Sequence, residues 1–500
     1  MARQPSYSPS SSSPSASSSF LPAHSDDRQP FIANTDKEYP PSSYTNFTKF
    51  RPRRRYIYSI AAALTAASLF ALLIFGFWTS NAEEESFNLP EDATLQAEHD
   101  DVQEFPQSVV IGEPTEKFRD NLQPNLKYIT SWISAGWTND VMTYANLIYL
   151  GLLTERIPVV PMFVPSHIGG SVPPIDFGEV FDVPRLSKAI RLPVVEWHQV
   201  KNRSSEALDE LGCWNIWQAV QEDEKRPRWS IVPQHLKLDI SYTTVPSWVK
   251  VIPGYRHDLH AWFWSLAALA FPETRAENLV TPLESPTLKV SLPPDEQMLC
   301  YDYLYYVCAN QPYEFDFDYS PAWRFVGRHM RWVPKLEQLA DTYVRKATGI
   351  EDGKPTPPWI AIHVRHGDFK NWCNDVGIPL KECFASLPVI ARRVEEVKAE
   401  LKERKGIDVE HVIMTSDERD PEWWSDVVKM GWFGIDHSKT VEEHGAWYPV
   451  LIDAVIQSSG AGFVGTDRST MSTLARRRVQ SWRDGVVRTV KWGKPDSDDH

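Results

Sequence analysis

An open α/β fold built on parallel sheets, preceded by one transmembrane helix, is what this sequence predicts, and three observations carry the prediction. From Trp359 onward, short β-branched runs alternate with amphipathic segments, the order that buries a parallel sheet between helices. Around residue 130 a strand, a glycine loop, a helix and a second strand follow one another, which is the opening of the same kind of unit. Ahead of both lies YIYSIAAALTAASLFALLIFGFWT, residues 56–79, without a single charge. At ~1.5 Å per residue that run spans a hydrocarbon core of about 30 Å.

The 500 residues are 42% apolar and 12% aromatic, so most of the chain has the means to fold, into two or three domains. Formal net charge is −14, and it is uneven: residues 1–55 hold eight basic against four acidic side chains, leaving −18 for everything beyond the uncharged run. An acidic body argues against sequence-independent nucleic-acid binding, which needs phosphate neutralisation. Five Cys and 23 Gly are too few for a disulfide scaffold or a collagen-like chain.

Taken in order, residues 1–55 are Ser/Pro-rich and read as a disordered cytosolic tail. Residues 56–79 read as a signal anchor. Arg51–Arg55 before it and Glu83–Glu85 after it place the N-terminus in the cytosol by the positive-inside rule, a type II orientation with the lipid bilayer as a partner. The apolar run is longer than a cleavable signal and starts too far from the N-terminus. Residues 80–107 are acidic and poor in apolar side chains, which suits a stem. All five Cys (Cys213, Cys300, Cys308, Cys373, Cys383) lie beyond the anchor, where disulfides persist. Cys373 can close a short loop with Cys383, Cys300 can pair with Cys308 or Cys213, and one thiol is left over. Asn202-Arg203-Ser204 is a sequon on the lumenal side, expected to carry glycan.

The spacing predicts a strand over 127–133, a helix over 139–154 and a strand over 157–164. Residues 165–330, rich in Pro and Trp, read as insertions on the first domain. Further on come a strand over 359–364, a helix over 388–404, a strand over 409–415 and a short helix from Pro421. A helix over 448–458, a strand over 462–464 and a helix over 470–482 complete the pattern.

Three segments could carry chemistry. HVRHGDF, residues 363–369, follows the strand WIAIHV directly. Ligands of open α/β sheets bind beyond the strands' carboxyl ends, and an Arg there offers a rigid fork of donors matched to phosphate oxygens. Arg365 bracing its loop against Asp368 is the structural alternative. The second segment is GTDRSTMS, residues 465–472, a glycine turn into a helix whose first N–H groups and dipole favour phosphate. Ser469 or Thr470 acting only as N-cap is the alternative there. The third is GWTND, residues 136–140, where Gly136 permits close backbone approach and Asn139 caps or contacts a ligand. Asp316-Phe317-Asp318 has the form of a divalent-metal D-x-D, but its flanks do not place it at a strand end. No His spacing suits zinc.

Together and in this order the three segments resemble the GDP-fucose protein O-fucosyltransferase family and its wider relatives. Those proteins share a glycine loop with Asn before a helix, H-x-R-x-x-D-F after a strand, and a G-x-x-x-S-[ST]-x-[ST] turn. The resemblance implies two Rossmann-like domains facing a cleft (the GT-B type), here 108–335 on the acceptor side and 336–500 on the nucleotide-sugar side. It implies a lumenal, inverting transferase, in the Golgi or else the endoplasmic reticulum, that moves fucose from GDP-fucose to a protein or glycan hydroxyl without a metal. His363, Arg365 and Asp368 would hold the donor, with Arg365 stabilising the leaving diphosphate. Asp453 would meet the guanine or its ribose, Ser469, Thr470, Met471 and Ser472 the phosphates, and Gly136 and Asn139 the sugar. The sequence departs from the family at its first loop, SAGWTND, where no Arg or Glu stands. Asp140 is the nearest carboxylate and the expected base, and Met471 replaces a usual Phe. A tethered, catalytically inactive glycan- or nucleotide-sugar-binding protein is the rival reading.

Overall fold

Residues 359–364 form a strand as the sequence predicts, and that strand is the centre of one of two parallel sheets. The structure, a computed structural model, describes residues 108–221, 226–351 and 353–498. The expected tail at 1–55, anchor at 56–79 and stem at 80–107 lie outside the described residues. Among the described residues no helix is long and apolar enough to cross a membrane.

The first sheet uses β1 (Tyr128–Ser131), β2 (Ile157–Val160), β3 (Val195–Glu196), β4 (Asp209–Asn215), β5 (Leu238–Thr244) and β7 (Met298–Tyr301), in the order β3-β2-β1-β7-β4-β5. Every pairing within it is parallel. Two-residue strands β6 (Ala261–Trp262) and β8 (Val307–Cys308) pair beside it. The second sheet runs β11-β10-β9-β12-β13, from β9 (Trp359–Val364), β10 (His411–Ser416), β11 (Phe433–Gly434), β12 (Gly462–Thr466) and β13 (Val486–Val490), again all parallel. The helices that matter below are α1 (Trp137–Thr154), α2 (Val183–Ile190), α3 (Pro334–Thr348), α4 (Phe369–Asp375), α5 (Leu387–Lys405), α6 (Tyr448–Ser459) and α7 (Thr470–Arg483).

One expectation fails outright. Residues 165–330 are not insertions: they supply β3, β4, β5 and β7, four of the first sheet's six strands. The reason is local composition. β3 is two residues long, and β4 reads DELGCWN, with Gly212 and charged residues inside it. Neither shows the alternation that marks a strand. Gly212 is required there, because a Cβ would lie 1.8 Å from the Pro293 carbonyl. The strand expected over 157–164 stops at Val160, and Phe163 instead bridges Ile175 in antiparallel fashion.

Burial of apolar surface at ~25 cal/mol per Å² drives this assembly. α1 is buried along most of its length, as expected of a helix laid between a sheet and further helices. Its tight return to β2 needs Gly151, where a Cβ would sit 2.9 Å from the Arg156 carbonyl. Arg156 is itself buried, and donates to the carbonyls of Tyr128, Glu296 and Ala270. Trp132, Trp197, Trp214 and Trp332 are fully buried, so much of the tryptophan complement serves the core. Cys213 bridges Cys300, tying β4 to β7, and Cys373 bridges Cys383. Cys308 is the remaining thiol and is buried.

Candidate functional site

Three chain segments converge at the carboxyl ends of β9, β10 and β12. β9 delivers His363 and then Arg365, and β12 delivers Gly465 and Thr466 before the chain turns into α7. A closed set of hydrogen bonds binds them. The Arg365 N–H donates to Thr466 Oγ1 (3.0 Å), that hydroxyl donates to the His363 carbonyl (3.0 Å), and the Thr466 N–H donates to Ser472 Oγ (3.0 Å). Ser472 Oγ also shares a hydrogen bond with His363 Nδ1 at 2.8 Å. The first turn of α7 is thereby bolted to the end of β9. Gly465 makes room for it, since a Cβ would fall 2.8 Å from Ser472 Cβ and 2.6 Å from Phe463. Burial, above all, holds the His363 imidazole neutral, with its pKa lowered to about 4; the nearby Asp417 opposes that shift and Arg365 adds to it.

Both alternatives raised for these segments are realised. Arg365 braces its loop, with Nε 2.8 Å and Nη2 2.7 Å from Asp368 Oδ1. Its third nitrogen, Nη1, lies 2.7 Å from Asp417 Oδ2. Ser469 is the N-cap of α7, its side chain accepting from the Ser472 N–H. Neither arrangement removes the chemistry. The guanidinium stays about one-third exposed, and the Thr470 and Met471 N–H groups at the helix start have no intrahelical acceptor.

Asp417, Glu418 and Trp492 are neighbours of these segments that the sequence reading missed, and His366 and Thr466 stand within the segments without having been singled out. Asp417 Oδ1 accepts from the His366 N–H (2.8 Å), and His366 Nδ1 meets Glu418 Oε2 (2.8 Å). Gly367 is what lets Asp417 approach, because a Cβ there would lie 2.2 Å from Oδ2. The signal was present: Asp417 and Glu418 directly follow β10, as Arg365 follows β9. Around Arg365 runs a recess whose lining includes His363, His366, Phe384, Thr466 and Trp492. His366 stacks on Phe384 (4.3 Å), and Trp492 stacks on Phe369 of α4 (4.5 Å). The Cys373–Cys383 bridge frames this aromatic wall, and Cys383 accepts from the Gly493 N–H.

The first-sheet loop reaches the same place. Thr138 Oγ1 and Thr470 Oγ1 are 2.7 Å apart, so the N-terminal ends of α1 and α7 meet through two hydroxyls. Gly136 is the N-cap position of α1 and accepts from the Asn139 N–H (2.7 Å). Asn139 Oδ1 is a buried oxygen without a partner. Met471 packs, half-buried, on the large apolar core. Asp140 is fully buried. Its Oδ1 accepts from the Ala135 N–H, its Oδ2 has no partner, and burial pushes its pKa well up. Closed from solvent, it holds the loop. Asp453 is not brought to the recess: on α6 it meets His437 Nε2 at 2.9 Å. Asn202 is exposed, its Oδ1 taken by the Ser204 N–H and Oγ.

Of the D-x-D, Asp316 is engaged within the fold. Asp316 Oδ1 accepts from Thr473 and from Arg476 (3.0 Å each), pinning its loop to α7. Among the described residues one group, Asp176, Glu196 and His198, has metal-ligating atoms within 4.8 Å, but Arg203 already pairs with Asp176.

No family model matches the sequence, and neither does any curated protein. Solved structures do resemble the fold. POFUT1 in complex with GDP-fucose is 14% identical, with a TM-score of 0.46 over 74% of this chain and 99% of its own. POFUT1 in complex with GDP gives 14% and 0.47 over the same shares. Fucosyltransferase NodZ from Bradyrhizobium is 13% identical, with a TM-score of 0.35 over 70% of this chain and 93% of its own.

Proposed function

We propose that this chain is an inverting glycosyltransferase that moves fucose from GDP-fucose to a protein or glycan hydroxyl, with the donor diphosphate in the recess around Arg365. The observation that carries the reading is the convergence of Arg365, its side chain about one-third exposed, with the N-terminus of α7 at the carboxyl ends of β9 and β12. A guanidinium and a helix dipole together neutralise charge growing on a leaving β-phosphate. They do so without a metal, which fits the engagement of Asp316 by Arg476. Asp368 and Asp417 hold the fork in place. Neutral His363 and Ser472 position the backbone around it. The choice of fucose rests on the HVRHGDF and STMS resemblance. Asp453 would reach guanine or ribose only by exchanging its bond to His437. An anchor at 56–79 and a lumenal, Golgi-side catalytic body belong to the same proposal.

A second reading, a nucleotide-sugar-binding protein without turnover, draws on one observation: the α1 carboxylate expected to act as base, Asp140, is buried. Titrating the purified chain with GDP, UDP and ADP, with and without EDTA, tests the donor site. GDP is expected to bind selectively, and Arg365→Ala to weaken it at least tenfold. Failure of all three nucleotides to bind a folded chain overturns both readings. Selective GDP binding without release of GDP from GDP-fucose, over an acceptor panel, favours the second.

A further inference from the structure

The far end of α7 carries a feature that the donor site does not use. Fourteen residues at ~1.5 Å each put it about 20 Å from Thr470. There Trp482 Nε1 donates to the Arg328 carbonyl (2.7 Å), and the Arg331 guanidinium lies 4.4 Å over the Trp482 ring. The Arg331 carbonyl accepts from the Asp182 N–H (2.9 Å), which docks α2 and brings Arg185, one turn on, to the same surface. Arg483 follows Trp482 directly. Arg185, Arg328 and Arg483 are exposed. Among the described residues, none of these three nor Arg331 forms an ion pair with a carboxylate. Beneath them Arg478 is buried 4.2 Å over Trp332 and 5.5 Å from Trp482, its Nε unpartnered.

Like charge is felt across the cluster. Burial, then Arg185 and Arg483, lower the Arg331 pKa against the opposing pull of Glu337, with Arg328 adding to the decrease. His329 is likewise lowered, by burial and then by Arg328, Arg331 and Arg185. Asp182 and Glu337 are the acids on the elements that meet here, and Asp182 Oδ1 is occupied by the Arg185 N–H. A chain of net charge −14 thus gathers four arginines at one surface, one of them over the Trp482 indole, with Glu337 the carboxylate whose field reaches Arg331.

We propose that this surface is a second binding site, for an acidic glycan carrying closely spaced sulfate or carboxylate groups. Guanidinium forks match such oxyanions bidentately, and the indole offers an apolar face beside them. The cluster is a local patch centred on Arg331 rather than the extended basic stripe that tracks a nucleic-acid backbone. A ligand here would be held apart from the reacting centre, as an anchor for an extended acceptor or matrix chain.

Calorimetric titration of the full-length chain in detergent, at 50 and 150 mM NaCl, tests this. The probes are a heparin-derived octasaccharide and a hyaluronan octasaccharide and, for the chain exchanged out of detergent into an uncharged lipid nanodisc, phosphatidylserine vesicles. At least one octasaccharide is expected to bind, weakening with salt as screening requires; which of them binds tells sulfate from carboxylate recognition. Arg328→Ala with Arg483→Ala should cost tenfold or more. Arg185→Glu should do the same at an exposed position that leaves the fold intact. Neutralising the exposed Lys402 and Lys429, an equal charge change elsewhere, should leave affinity unchanged. The proposal is overturned if neither octasaccharide binds a chain that melts normally, if the arginine variants bind as wild type, or if only vesicles bind.

Discussion

His363 shows how one buried ring can serve a site by staying uncharged. Its folded pKa of about 4 lies below the ordinary histidine value of about 6.5, so the unfolded chain binds the extra proton first. Stability from this residue is therefore full above about pH 6.5 and falls as pH drops toward 4, by about 2 kcal/mol at pH 5. Asp302 works in the opposite sense. Burial raises its carboxyl to about 7, against backbone N–H donors from Arg228, Ile216 and Trp217, so its contribution grows as pH falls through 7. The two trends offset each other in a plain melt, and a variant isolates one of them. Denaturant unfolding of wild type and His363→Asn at pH 7.5 and 5 should show a smaller acid loss in the variant. Equal losses would mean the imidazole is protonated in the folded chain.

At the scale of elements, the site depends on how α7 is seated on its sheet. Ser472→Ala strips partners from the Thr466 N–H and from His363 Nδ1, and leaving such buried groups unpaired costs about 1–3 kcal/mol. Gly465→Ala should be worse, because its Cβ meets Ser472 and Phe463 inside van der Waals distance. Thermal melts and GDP titrations should drop together for both variants; a fully stable Gly465→Ala would contradict this seating. These elements were the legible part of the sequence. Their strands are largely apolar runs, α5 stops at Gly406 and α7 starts on its Ser469 cap, and β9 lies at the expected residues. The first sheet was only half legible. β3 is too short to show a period, and β4 is held by its Gly212 contact and a disulfide rather than by alternation. Asp453 shows a related limit: a matched position in a chain fixes a residue's element, not which neighbour its side chain chooses, here His437.

For the molecule as a whole, the first sheet is stapled where its sequence is weakest. The Cys213–Cys300 bridge closes a separation of 87 residues between β4 and β7, and loops of that length gain roughly 4–5 kcal/mol in the chain-entropy account. Replacing both cysteines with Ala should lower the denaturation midpoint by a corresponding amount, read by circular dichroism. A loss below about 1 kcal/mol would show that strand pairing alone holds the sheet. The Cys373–Cys383 bridge spans ten residues, and its removal should disturb the Phe384–Trp492 wall more than global stability.

Cys308, the thiol left unbridged, sits eight residues from Cys300. In an unfolded chain the short ring between those two closes roughly thirty times more readily than the 87-residue one, a difference of about 2 kcal/mol. Oxidation that outruns folding therefore captures the wrong partner. Formation of β8 opposes that capture, since its pairing with β6 buries Cys308 and burial raises its thiol pKa, withdrawing the competitor from exchange. Maturation of this chain is thus a race between a bond and a fold, and its yield should rise with anything that slows the bond.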